Sequence, residues 1–118
     1  MNDLIYHITS RAEWEQAQKI GRYEADSLAG QGFIHSSKAG QVLRVANSFY
    51  AGRPGLILLA IEPGKLTSPL KWEPGVDLAT EVFPHIYGPI NLEAVYNVLA
   101  FEPNPDGTFS LPEDLEKM

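Results

Sequence analysis

The sequence predicts an α+β domain, with two early helices packed on small mixed or antiparallel β-sheets. Apolar runs of strand length recur along the whole chain, whereas helical spacing appears twice and only in the first half. The later segments follow one another as strands without intervening helices, so the order is β-α-loop-β-α-β-β-β-β. At 118 residues the chain suffices for one hydrophobic core. Residues 1–103 are expected to form it, and 104–118, rich in Pro, Asp, Gly and Glu, to be an exposed tail.

Each element has a local reason. Leu4 to Thr9 alternates as a strand, with Leu4, Tyr6 and Ile8 on one face and Ile5, His7 and Thr9 on the other. Ser10 is the N-cap of a helix over Arg11 to Ile20, Glu13 completes a capping box, and Gly21 ends it. Trp14 and Ala17, with Ile20 or Gln18, fall on its inner stripe. Arg22 to Gln31 is polar and reads as a loop, holding at most one turn at Ser27-Leu28-Ala29. Phe33 to Ser36 is a short strand, and Ser36 or Ser37 caps a helix from Lys38 to Tyr50 with Val42, Val45 or Ala46, and Phe49 at helical spacing. Leu56 to Ile61 is continuously apolar and reads as a strand covered on both faces. Glu62-Pro63-Gly64 turns the chain, and a strand ends near Trp72-Glu73. Thr80 to Phe83 is extended, Pro84 removes a ladder donor beside His85, and Asn91 caps a single turn. Val95 to Phe101 is the last strand.

Composition excludes several classes of function. With no cysteine there is no disulfide, thiolate nucleophile or cysteine-ligated metal. Nine Lys and Arg stand against fifteen Asp and Glu, a net charge of −6 that disfavours an extended nucleic-acid surface. No apolar run reaches the ~20 residues of a membrane span, and no basic region precedes an apolar stretch at the N-terminus. The expectation is a cytoplasmic protein.

Chemistry concentrates at the three histidines, each set among apolar or aromatic neighbours. His35 lies in Gly32-Phe33-Ile34-His35-Ser36-Ser37, at a strand-to-helix junction that favours an anion. His7, sharing a face with Thr9, fits either a buried histidine tied to a carbonyl or a cleft residue that bonds a ribose diol or phosphate. His85 lies in Phe83-Pro84-His85-Ile86-Tyr87-Gly88-Pro89, with Tyr87 at the same parity. Tyr50 is either core or a stacking platform. Glu73 and Glu81 are solvated carboxylates or cleft groups. No paired histidine spacing suggests a metal site, and no Gly-x-Ser-x-Gly elbow suggests a hydrolase.

With these segments placed, the chain resembles the uncharacterised family DUF952, a domain of unknown function. The matching residues are Tyr6-His7-Ile8, Ser27-Leu28, Gly32 to Ser37, Phe49-Tyr50, Leu70-Lys71-Trp72-Glu73 and Phe83 to Pro89, so the likeness spans residue 4 to about 101. Members of that family resemble the ADP-ribosyltransferase-like superfamily in fold. The resemblance implies a cleft at the junction of two small sheets that takes NAD, as substrate, or a related ribose-phosphate. It implies that His7 and His35, with Ser36 or Ser37, hold the ligand. A late glutamate in such enzymes polarises the ribose 2′-hydroxyl, and here Glu73, Glu81 or His85 would take that role. The catalytic candidates are therefore His35, Glu73, Glu81 and His85. The ligand-binding candidates are His7, Thr9, Ser36, Ser37, Tyr50 and Tyr87. The implied activity is ADP-ribosyl transfer or NAD hydrolysis; the alternatives are a non-catalytic nucleotide-binding module or a 2′-phosphate-processing enzyme. The latter would need several of Arg11, Arg22, Arg44 and Arg53 to point inward.

Overall fold

The structure, a computed structural model, describes residues 4–75 and 80–112. In chain order the elements are β1 (Ile5–Ser10), α1 (Arg11–Ile20), β2 (Arg22–Tyr23), α2 (Asp26–Gln31), β3 (Ile34–His35), α3 (Ala39–Phe49) and β4 (Leu56–Ile61). There follow β5 (Leu70–Pro74), β6 (Val82–Ile86), β7 (Ile90–Asn91) and β8 (Val95–Ala100), with single 3-10 turns at Pro63–Lys65 and Leu92–Ala94. The class is the expected α+β, with antiparallel sheets and early helices.

Strand β4 lies at the centre. It pairs antiparallel with β1 on one side and β8 on the other. Its continuous apolar run serves two cores. Leu56, Leu58 and Ala60 pack with Val42 and Ala46 of α3, Tyr6 and Ile8 of β1, and Phe101. Ile57, Leu59 and Ile61 pack with Ile5, with Ala17 of α1, and with Tyr23, Ile34, Ile86 and Ile90 from the smaller sheets. A strand buried on both faces has no polar side to alternate with, which is why the sequence shows none. The alternation in β1 also holds: Tyr6 and Ile8 face the α3 core, and Ile5 faces the other.

A second sheet runs β3-β6-β5 and a third pairs β2 with β7. The first two are joined through the residues after β3. The Ser36 N–H donates to the Pro84 carbonyl at 3.2 Å, and the next residue makes a two-bond bridge, Tyr6 N–H to Ser37 O and Ser37 N–H to Tyr6 O, both 2.8 Å. Pro84 is thus tolerated in the central strand β6. Its carbonyl, and with it the missing N–H, faces the point where β3 has already ended.

The helix signals are partly as expected. Ser10 caps α1, its Oγ accepting the Glu13 N–H at 3.1 Å and donating to Glu13 Oε1 at 3.0 Å. Gly21 closes α1 at φ 99°, in the left-handed region. Trp14 and Ala17 face inward, but Ile20 is 54% exposed and Gln18 is exposed as well. Two expectations are corrected. The polar stretch from Arg22 is not a loop but β2 and the six-residue helix α2, which starts without a side-chain cap and so carries no signal at its beginning. Neither Ser36 nor Ser37 caps α3. The cap residue is Lys38, whose N–H is taken by the buried Gln41 side chain at 2.9 Å.

The expected exposed tail also differs. Phe109 is 4% exposed and stacks on Phe101 with ring centroids 4.7 Å apart. The Phe109 N–H is held by Asn47 Oδ1 of α3 at 2.7 Å. Leu111 packs against the same core and the Gly107 carbonyl accepts the Gly52 N–H at 2.8 Å, so this Pro-, Asp- and Gly-rich stretch is docked on the core. Residues 113–118 of that tail lie outside the described residues. Phe109→Ala is expected to lower stability by about 3 kcal/mol in urea unfolding, the cost of removing a buried phenyl ring. A change near zero would mean that this segment does not belong to the core.

Candidate functional site

Beyond Ile5 the inner face of β1 leaves the core. Its next two residues, His7 and Thr9, open onto a cavity of about 530 Å³ between the sheets. His35, Ser36, Ser37 and His85 line it from the second sheet, Tyr23 and Asp26 from the segment after α1, and Phe49, Tyr50 and Arg53 from the end of α3. Glu13 of α1 and Phe83 of β6 complete the walls that matter here. All three histidines therefore meet at one place, from positions far apart in the chain.

Their environments differ. His7 is buried, and both ring nitrogens are engaged by the protein: Nδ1 donates to the His35 carbonyl at 2.5 Å, and Nε2 lies 2.8 Å from the Tyr23 hydroxyl. Burial holds its pKa down to about 4, against 6.5 for a free imidazole. The reading of His7 as tied to a carbonyl holds, and it also lines the cavity. A hydrogen bond from His7 to a ribose or phosphate would need one of these partners to leave. Tyr23 is buried too, and burial pushes its phenol well above the ordinary value. Its hydroxyl lies 2.8 Å from Thr9 Oγ1, and Thr9 Oγ1 is 3.4 Å from Glu13 Oε1.

His35 is exposed at the cavity, and its Nε2 donates to Gln31 Oε1 at 2.7 Å. His85 is buried, stacked on Phe33 at a centroid distance of 4.1 Å and set edge-on to His35 at 5.6 Å. Its Nδ1 donates to Glu73 Oε1 at 2.9 Å, and the Tyr87 hydroxyl donates to the same oxygen at 2.5 Å. Those two bonds, Tyr87 first, hold the Glu73 carboxyl below its ordinary pKa. A carboxylate that fixes one imidazole nitrogen as donor leaves Nε2 for acid–base work. Among the described residues no group bonds that Nε2.

Several candidates stand off the cavity. Glu73 and Tyr87 lie behind His85 and do not line it. Glu81 pairs with Arg44 and accepts from Gln41 Nε2 at 2.8 Å, bonds that hold its carboxyl low and tie α3 to β6. Ser36 Oγ donates to the Pro84 carbonyl at 2.6 Å, so its hydroxyl proton serves the sheet junction. Tyr50 lines the cavity with Arg53 over its ring at 5.1 Å. Of the four arginines, Arg53 alone lines it. Glu13, Tyr23 and Asp26 also line it and are not marked by the sequence: Glu13 has a capping role, and Tyr23 and Asp26 lie in a stretch without periodicity. Among the described residues no group of three or more His, Asp or Glu is placed to hold a metal ion. No described helix is long and apolar enough to cross a membrane.

The family model for DUF952, described as a protein of unknown function, matches residues 8–98. The chain belongs to this family. No curated protein matches it. Solved structures do. The crystal structure of protein CC0527 from Caulobacter crescentus is 36% identical, over 98% of this chain and 99% of that one, with a TM-score of 0.84. A double mutant of CC0527 gives 35% identity over 98% and 99%, with a TM-score of 0.84. The solution NMR structure of CC0527 gives 35% over 98% and 96%, with a TM-score of 0.78. In this DUF952 protein the matched range takes in every lining residue discussed above except His7.

The buried imidazole makes stability depend on pH. The unfolded chain protonates His7 near pH 6.5 and the folded chain only near pH 4, so the unfolded state binds more protons between them. Its contribution is present above pH 6.5 and is lost as pH falls toward 4, by about 3 kcal/mol in full. His7→Asn is expected to flatten urea-unfolding stability across that window relative to His35→Asn. An unchanged slope in His7→Asn would place the titration elsewhere.

Proposed function

We propose that the cavity binds NAD or a related ribose-phosphate, and that the protein is an ADP-ribosyltransferase-like enzyme acting at the bond between ribose and nicotinamide. One observation carries this reading: imidazoles, aromatic faces, carboxylates and one guanidinium from distant parts of the chain surround a single cavity. Its volume of about 530 Å³ lies in the range of small-molecule sites. Tyr50 and Phe83 offer faces for a heteroaromatic ring. Arg53 suits a phosphate oxygen.

In the reaction the carbon–nitrogen bond breaks, its electron pair leaves with nicotinamide, and positive charge develops on the ribose. Glu13 and Asp26 are the carboxylates lining the cavity that would stabilise that charge, in place of Glu73 or Glu81. Water or an acceptor hydroxyl then attacks the same carbon and gives its proton to His85 Nε2. Glu73 acts through His85 and is a positioning residue. His35 and Ser37 would hold the ligand from the second sheet, and His7 would set the shape of the wall behind Thr9.

A second reading is a non-catalytic nucleotide-binding module, favoured by the placement of Glu73 and Glu81 off the cavity. The 2′-phosphate reading ranks below both, because Arg44 is paired with Glu81 and Arg22 with Glu24. Titration with NAD and ADP-ribose, followed by imidazole NMR and by nicotinamide release, separates these readings. The enzyme reading expects His35 and His85 to shift together at saturation. It also expects Glu13→Gln to slow nicotinamide release about a hundredfold or more while affinity changes far less. Saturable binding without release supports the module, and no shift with either compound discards the nucleotide.

A further inference from the structure

Hydrogen-bond directions along the β1–α1 wall are set by one atom that cannot donate. The His35 carbonyl oxygen has only lone pairs, so His7 Nδ1 carries the proton of their 2.5 Å bond. Buried and neutral at pH 7, His7 then has a bare Nε2. The Tyr23 hydroxyl, 2.8 Å away, must donate to it. Tyrosine has a single hydroxyl proton, so Tyr23 Oη can only accept in its 2.8 Å contact with Thr9 Oγ1. That spends the proton of Thr9. Ser10 spends its own on Glu13 Oε1 at 3.0 Å. Between Thr9 and Glu13 no proton is left over, which suits the long 3.4 Å separation of their oxygens.

What this wall turns toward the cavity is therefore lone pairs, on Thr9 Oγ1 and the Glu13 carboxylate, with Tyr23 Oη behind them. At the N-terminus of α1, which favours an anion, two of the free N–H groups are already used: the Glu13 N–H goes to Ser10 Oγ and the Arg11 N–H to the Gly55 carbonyl. Asp26 adds a second carboxylate to the lining. Positive charge is supplied by Arg53, which lies against Tyr50.

We propose that Thr9, Tyr23 and Glu13 form an acceptor surface that seats the donor-bearing face of a ligand, such as a hydroxyl pair, an amide N–H or a cationic nitrogen, and turns away phosphate or carboxylate toward Arg53. This rests on the cavity being a ligand site but not on the ligand being a nucleotide. It orients any ligand with two unlike ends.

The test uses two aromatic probes that differ in hydrogen-bonding sense, benzamidine as donor and benzoate as acceptor. In the ¹H–¹⁵N spectrum of the whole protein, benzamidine is expected to shift the backbone amides of Thr9, Ser10 and Glu13 saturably, and benzoate to leave them in place. Glu13→Gln exchanges one acceptor oxygen for a donor amide on an exposed residue, so the fold is retained. It is expected to weaken benzamidine about tenfold and to admit benzoate. Benzoate shifting these amides as strongly in the wild type, or neither compound shifting them, overturns the proposal. So does a ligand-free His7 carrying its proton on Nε2 in long-range ¹H–¹⁵N spectra at pH 7. Benzamidine binding with no response to NAD or ADP-ribose removes the nucleotide and keeps the surface; the reverse removes the surface and keeps the nucleotide.

Discussion

Two consecutive serines carry the chain from one sheet to the other, and the site depends on that step. Ser36 gives both its N–H and its hydroxyl to the Pro84 carbonyl, which binds it to the second sheet. Ser37, one residue on, exchanges a pair of backbone bonds with Tyr6 of the first. A residue between two sheets must satisfy its backbone in both directions, because an unpaired buried amide costs about as much as a lost hydrogen bond. The step brings the His35 carbonyl up to the ring of His7 and places His35 beside His85. The cavity is the space left where the sheets diverge from this junction.

The position of β4 explains why that space is polar on one side. With both faces of β4 buried, β1 supplies one edge of each core, and its inner face is covered only as far as Ile5. His7 and Thr9, two and four residues on, share that face but have Tyr23 rather than aliphatic groups as their neighbour. A buried imidazole is tolerated there because both nitrogens are hydrogen-bonded, and it stays neutral because burial opposes its charge. Neutrality in turn dictates where each hydroxyl proton along the wall points. Packing on β4 and hydrogen-bond sense at the cavity are thus linked through one side chain.

Much of this was legible from residue order. Alternation in β1, the Ser10 and Gly21 boundaries of α1 and the run at Leu56–Ile61 all depend on nearest neighbours or on a period, and sequence carries both. Gathering His7, His35 and His85 followed from the family likeness, not from any period. What escaped depends on contacts across the fold. The strands β2, β3 and β7 have two residues each, too few to show alternation. Gln41 replaces the serines as the cap partner of α3 because its side chain also reaches the Val82 carbonyl, a contact forty-one positions away. Phe109 is apolar in a polar stretch, and it is the facing Phe101 and Asn47, far back in the chain, that hold it.

The acidic residues show most directly why the type of a residue does not settle its role. Glu73, Glu81 and Glu13 are all glutamates within reach of the same region, yet their lone pairs are used differently. At Glu73 one oxygen takes both Tyr87 and His85, and at Glu81 Arg44 and Gln41 take one oxygen each; in both cases the bonds favour the ionised form. Carboxylates used in this way hold their neighbours in place. Glu13 instead receives the Ser10 hydroxyl at one oxygen and faces the cavity beside Thr9. Because Ser10 and Thr9 have no second proton to give, the remaining acceptor capacity of Glu13 is directed at whatever enters the cavity. Its capping role and its place in the wall are therefore one arrangement: the bond that starts α1 also aims the carboxylate.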